Sequence, residues 1–147
     1  MGMKQFATFY AADRYLGIDV TRVQEVIRSQ AITRTPLAAD EIRGLINLRG
    51  QIVMAFDLRR RLGLPPLEDG ASPMNVVIRT PDGLVSLLVD RIGDVLDVDS
   101  ELFEEPPETL RGEARALIRG AYKLDGALLL ELDTDRALEV ADMRSVG

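Results

Sequence analysis

The 147-residue chain contains no cysteine and no histidine. Without cysteine there are no disulfides, no thiolate nucleophiles and no thiol redox chemistry. Without histidine there is no Ser-His-Asp triad, no His-based zinc site and no phosphohistidine relay carried by this chain. No stretch approaches the roughly 20 apolar residues of a membrane span, and the N-terminal MGMKQF lacks an apolar signal core. A formal charge of −6 argues against binding nucleic acid by neutralising phosphates. A cytosolic protein is expected, long enough to bury a core without metal or disulfide support.

What the chain does have is an internal echo. Ile42 to Leu62 (IRGLINLRGQIVMAFDLRRRL) aligns without gaps with Ile118 to Leu138 (IRGAYKLDGALLLELDTDRAL), sharing Ile, Arg, Gly, Leu, Gly, Asp, Arg and Leu in order. In the first copy, apolar runs flank Arg49-Gly50, a pattern that predicts a β-hairpin with Arg49 at its tip. The second copy places Asp125-Gly126 there, so the scaffold repeats while the tip changes charge. A weaker echo relates Tyr15–Ile27 to Leu84–Leu96 and follows the same order along the chain. Repetition at this scale points to a repeated structural unit.

Taken in order, Lys4–Tyr10 and Tyr15–Val20 read as a first strand pair. Val23, Val26 and Ile27 have helical spacing behind Thr21 as N-cap, which predicts a short helix over Thr21–Arg28. Ala31–Thr35 reads as extended before Pro36, and Asp40–Gly44 as one turn. Asp57–Leu62 is an arginine-rich segment end, and Glu68–Pro73 has the turn composition of a boundary between halves. Asn75–Arg79 and Leu84–Val89 are strands around a Thr-Pro-Asp-Gly turn. Asp90–Asp99 reads as a reversal near Gly93 followed by a strand, or as partly helical if the echo is literal. Ser100–Arg111 reads as an acidic, proline-broken loop, Arg115–Leu132 as strands turning at Asp125-Gly126, and Thr134–Met143 as a final helix. The whole predicts an all-β fold, with small barrels as the natural way to remove exposed strand edges.

Chemistry-bearing constellations are sparse. There is no P-loop and no dinucleotide fingerprint. The acidic pairs Glu104-Glu105 and Asp97/Asp99 read as solvated faces rather than as an acid/base pair or a cation site. No serine stands in a nucleophile elbow. No metal or other cofactor site is expected. Arg59, Arg60 and Arg61 form a basic run that is either a solvated segment end or a patch for an acidic partner. Arg49 sits where folding alone asks for no long cation, and a guanidinium there could fork onto a carboxylate or carbonyls across an interface.

The combination QFATFY, YLGIDVTRVQEVI, IRGLINLRGQIVMAFDLRRRLG, VSLLVDRIGDVLDV and LIRGAYKLDGALLLELDTDRAL resembles the CheW-like family of chemotaxis adaptors from about Gln5 to Leu138. The resemblance implies one CheW-like domain over 1–147, built from two SH3-like five-stranded β-barrel subdomains side by side with short helices. The first would span about 5–63 plus 134–147 and the second about 74–133. It implies no catalysis. It implies instead coupling of transmembrane chemoreceptors, through their cytoplasmic signalling tips, to the regulatory domain of a chemotaxis-type histidine kinase. The protein would be monomeric alone, cytoplasmic, and recruited to membrane-associated receptor arrays, with no nucleic-acid partner and no membrane insertion of its own.

Carried over residue by residue, the resemblance implies a receptor-binding set of Val23 and Val26 as apolar contacts, Glu25 as a polar rim residue and Arg49 of the NLRG motif. Gly50 and Asp57 are structural or interface residues. The kinase-binding face falls loosely on the second subdomain, with Val76, Val89 and Val95 as candidates. The chain departs from relatives in carrying Met54 and Phe56 before Asp57. Three other readings stay in play: a small-ligand sensor binding between the barrels, an enzyme working through Glu104-Glu105, and a module that binds or inhibits a kinase alone.

Overall fold

The computed structural model describes residues 2–28, 31–33, 42–66 and 72–138. Eleven strands, β1 (Met3–Ala11), β2 (Arg14–Asp19), β3 (Val23–Ile27), β4 (Ile42–Leu48), β5 (Gln51–Asp57), β6 (Met74–Thr80), β7 (Gly83–Val89), β8 (Arg91–Asp99), β9 (Phe103–Glu104), β10 (Ile118–Leu124) and β11 (Ala127–Leu132), are punctuated by short helices α1 (Leu58–Arg61), α2 (Gly112–Leu117) and α3 (Thr134–Ala137). They form two sheets, in the orders β8-β1-β2-β11-β10-β9 and β3-β6-β7-β5-β4. Each is mixed, with one parallel contact, β11 on β2 and β5 on β7.

The echo is literal in the backbone. Ile42 pairs with Phe56 and a bulge follows before Gly44–Ala55. Ile118 pairs with Leu132 with the same irregularity before Gly120–Glu131. The parallel registers also coincide, since Met54 and Ala55 face Val85 and Ser86 where their counterparts Leu130 and Glu131 face Leu16 and Gly17. Asp57 and Asp133 both cap the following short helix, accepting from Arg60 N and Arg136 N. Gly44 and Gly120 share a reason as well. A Cβ at Gly44 would overlap the Thr33 carbonyl, and one at Gly120 would overlap the Phe103 ring. In both copies the incoming chain lies directly across the glycine, bridging Thr33 to Leu45 and Glu104 to Ala121.

The two sheets exchange strands. β1 and β2 lie in the sheet of β8–β11, and β6 and β7 lie in the sheet of β3–β5. Similarity between segments reveals which strands are equivalent, not which sheet they join, and the boundaries 5–63 and 74–133 therefore cut across both sheets. The closed barrels expected are also not formed: among the described residues, edge strands β3 and β4 share no ladder, and neither do β8 and β9. Each sheet curls instead around its own small core. Ile46, Leu48, Val53, Ala55, Val77 and Leu88 fill one, and Phe6, Val98, Tyr122 and Leu129 fill the other. A larger core between the sheets takes Phe9, Leu16 and Ile18 from one side and Phe56, Val76, Ile78, Leu87 and Val89 from the other. Burying each such side chain contributes about 1.5–3 kcal/mol.

Local expectations are corrected at several points. Thr21–Arg28 is not a helix: Asp19 caps a single 3₁₀ turn over Val20–Arg22, and Val23–Ile27 pairs with β6. The stretch through Gly93 is one continuous strand, and Thr8 Oγ1 would collide with any Cβ there. The arginine-rich segment end at Asp57–Leu62 holds α1, capped by Asp57. Gly112–Leu117 is helical, with Ala114 and Leu117 sealing the inter-sheet core. The turn expected at Asp40–Gly44 is strand from Ile42 onward, and 40–41 lie outside the described residues. So do 34–35 of the extended piece, 68–71 of the boundary segment and 139–143 of the expected final helix, of which the described part holds α3.

Candidate functional site

Strand β3 is an edge of its sheet, and a bulge at Gln24 decides where its side chains go. Val23 lies opposite Ile78 and Val26 opposite Val76, whereas Glu25 lies opposite Val77. Directly opposed residues of an antiparallel pair share a face, so Val23 and Val26 point one way and Glu25 the other. Val23 packs against the inter-sheet core, while Val26 is 40% exposed. The common face expected of a helix is therefore achieved by an irregular strand.

The β4–β5 hairpin closes through Arg49 and Gly50, with φ of +53° and +88°, the left-handed pair of a two-residue type I′ connection. Nothing lies within 4 Å of a Cβ built at Gly50, so the glycine serves backbone conformation alone. Asn47 Oδ1 accepts from the Gly50 N–H at 2.8 Å. From this tip Arg49 reaches β3, its Nη1 donating to Glu25 Oε1 at 2.6 Å and its Nη2 to Oε2 at 2.5 Å. The fork joins the hairpin of one sheet edge to the opposite edge of the same sheet. The hydrogen bond from Arg49 and its charge hold the Glu25 carboxyl below the usual carboxylate value, and the same bond raises the Arg49 guanidinium. The Arg49 side chain remains 72% exposed.

The structure thus links the β4–β5 tip, which carries Arg49 and Gly50, to edge strand β3 through Glu25, while Val23 and Val26 lie on the other face of that strand. Asp57 is elsewhere. It is buried, caps α1 and pairs with Arg43 Nη1 at 3.0 Å. Val76 and Val89 are in the core at 0% and 1% exposure, so neither can touch a partner as expected. Val95 is 56% exposed on edge strand β8, in the position equivalent to Val26. The arginine run is largely committed inside the molecule. Arg59 forks onto Asp90 at 2.9 and 2.5 Å, and Arg61 donates to the Ala137 and Arg136 carbonyls. Sequence reasoning missed Asn47 and Asp90. Asn two residues before an Arg-Gly tip was a readable signal for the first, but nothing local marks the second.

Glu104 pairs with Lys123 at 3.7 Å, and among the described residues no three Asp or Glu gather as metal ligands. A groove of about 560 Å³ is lined by Leu45, Ile52, Met54, Val85 and Leu138 together with Asp82, Asp135 and Arg136. Asp135 is already taken by Arg22 at 3.0 Å. Among the described residues, no helix is long and apolar enough to cross a membrane.

A family model described as the CheW-like domain matches residues 5–142. The chain is 30% identical over 142 residues to the chemotaxis protein CheW of Bacillus subtilis, covering 97% of this chain and 91% of that one. It is 26% identical over 147 residues to the chemotaxis protein CheW of Treponema pallidum, covering 97% and 86%. The crystal structure of the scaffolding protein TtCheW from Thermoanaerobacter tengcongensis superposes with a TM-score of 0.78 at 28% identity, covering 90% of this chain and 89% of that one. With strand-exchanged sheets and a family match across nearly its whole length, the chain belongs to the CheW-like family of noncatalytic chemotaxis adaptors.

Proposed function

We propose that this protein couples chemoreceptors to a chemotaxis-type histidine kinase, and that edge strand β3, through Glu25 and Val26, together with the hairpin tip that carries Arg49, takes the receptor's signalling tip. The observation that carries the receptor assignment is Arg49. An exposed cation, held in a left-handed turn and forked onto a carboxylate of β3, adds nothing to the core, yet it presents a fixed charge pattern, and Val26 on the other face of the same strand offers an exposed apolar contact. Interfaces concentrate their energy in such arginine and apolar anchors. Val95 on β8, with Asp94 and Asp97 exposed beside it, is the candidate that remains for the kinase face. Recruitment to membrane-associated arrays then follows from the receptor contact, without insertion.

Co-sedimentation with a receptor signalling fragment and the cognate kinase tests both faces. Wild type is expected to enter the ternary complex. Arg49→Glu, still folded by circular dichroism, is expected to lose receptor capture by roughly tenfold or more while keeping the kinase. Val95→Arg is expected to do the reverse. Undiminished receptor capture by folded Arg49→Glu would remove Arg49 from the interface. If wild type took up the kinase but no receptor, the kinase-only reading would replace coupling.

A further inference from the structure

Arginine is a poor residue for the conformation that Arg49 adopts. Its φ of +53° lies in the left-handed region, where a Cβ is unfavourable and Gly, Asn or Asp are preferred. The molecule contains its own comparison. The equivalent hairpin turns at Asp125-Gly126, between Leu124 and Ala127 as the first turns between Leu48 and Gln51. Asp tolerates positive φ better than Arg does, yet among the described residues only Ala12 and Arg49 adopt it without being glycine, and Asp125 does not. Composition at the tip therefore predicts the opposite of what is observed.

The two hairpins differ two residues upstream of the tip. Asn47 occupies the position that Lys123 occupies in the second copy. The Asn47 side-chain oxygen accepts the Gly50 N–H at 2.8 Å, a bond from a group that lies in the turn, outside the strand ladder. A lysine ammonium cannot accept it. Asparagine closing onto the backbone of a following residue is a known alternative to backbone turn hydrogen bonds. Here it closes around Arg49 itself.

We infer that Asn47 is a positioning residue: its carboxamide oxygen holds the Leu48–Gln51 turn in the form that delivers the Arg49 guanidinium to Glu25, and thereby shapes the receptor-facing charge pattern. Only the last step rests on the proposed receptor contact. The geometric part stands on the Asn47–Gly50 bond and the contrast with Asp125. Because Asn47 is exposed, its replacement leaves the core untouched.

The test uses the full chain and three readouts on Asn47→Ala, Asn47→Asp, Arg49→Ala and the Asn47→Ala/Arg49→Ala double variant. In Asn47→Ala, the backbone carbon shifts of Arg49 are expected to leave the left-handed pattern, and the Glu25 carboxyl is expected to titrate higher, toward its value in Arg49→Ala. Asn47→Asp, which keeps an acceptor oxygen, is expected to retain the left-handed pattern. Capture of the receptor fragment is expected to fall roughly tenfold in Asn47→Ala, with no further loss when that change is added to Arg49→Ala. Unchanged Arg49 shifts, or an unchanged Glu25 titration, in Asn47→Ala would overturn the inference. If both move while Arg49→Ala still captures receptor at the wild-type level, Asn47 positions the pair as inferred and it is the receptor assignment that fails.

Discussion

Gly44 and Gly120 show what a single absent methyl group can carry. Each is crossed by the chain entering its hairpin, by Thr33 in one copy and by Phe103 and Glu104 in the other. Relieving the overlap of an added Cβ requires the crossing segment to lift off the sheet. Gly44→Ala and Gly120→Ala are each expected to lose about 2–4 kcal/mol in urea titrations, against about 1 kcal/mol for Gly126→Ala, where only positive φ is at stake. The echo marked both glycines in the sequence. Their reason was not legible, because the atoms they avoid are many residues away along the chain. Val76 and Val89 failed for a related cause. Val76, Val77 and Ile78 are all at 0% exposure, because β6 has the inter-sheet core on one face and its own sheet's core on the other. A strand buried on both faces has no alternation from which to read a solvent side.

At the scale of elements, β3 was misread because a bulge imitates a helix. An extra residue at Gln24 brings Val23 and Val26 to the same face, three positions apart as helical spacing requires. The β-branched content of VQEVI and its echo in strand β8 both favoured a strand, and pairing with β6 decides it. The short helices are fastened by ion pairs that reverse between the copies. Arg59 on α1 holds Asp90 at the β7–β8 junction, and Asp135 on α3 holds Arg22 at the β2–β3 junction. Burial pushes the Asp90 carboxyl up, but hydrogen bonds from Arg59 and the Ala12 N–H, with the charges of Arg59 and Arg91, hold it below its ordinary 3.8. A carboxylate with a lowered pKa stabilises the fold above its unfolded-state value and loses that contribution as pH falls through the folded value. Asp90→Asn is expected to cost on the order of 1–3 kcal/mol at neutral pH. The gap from wild type should close as urea titrations are taken from about pH 5 down to about pH 2. A gap independent of pH would mean that Asp90 acts through shape rather than charge.

At the scale of the whole molecule, the duplication was legible and the exchange of strands was not. Because each sheet takes a hairpin from the other half, neither half owns a complete core. Fragments 1–66 and 72–147 are each expected to lack a cooperative thermal transition, and to recover one on equimolar mixing, followed by circular dichroism. Cooperative unfolding of either fragment alone would show that a half can close on itself. Two like units that trade hairpins have the connectivity of a two-fold dimer whose copies have been joined between α1 and β6. In a true dimer both faces would be dictated by one gene segment and would have to be identical. Joined in a single chain, they are free to diverge, and they have: Arg49 and Glu25 in one sheet correspond to Asp125 and Asp94 in the other. Two identical faces could take only two of the same partner, whereas unlike faces on one chain can take two different ones.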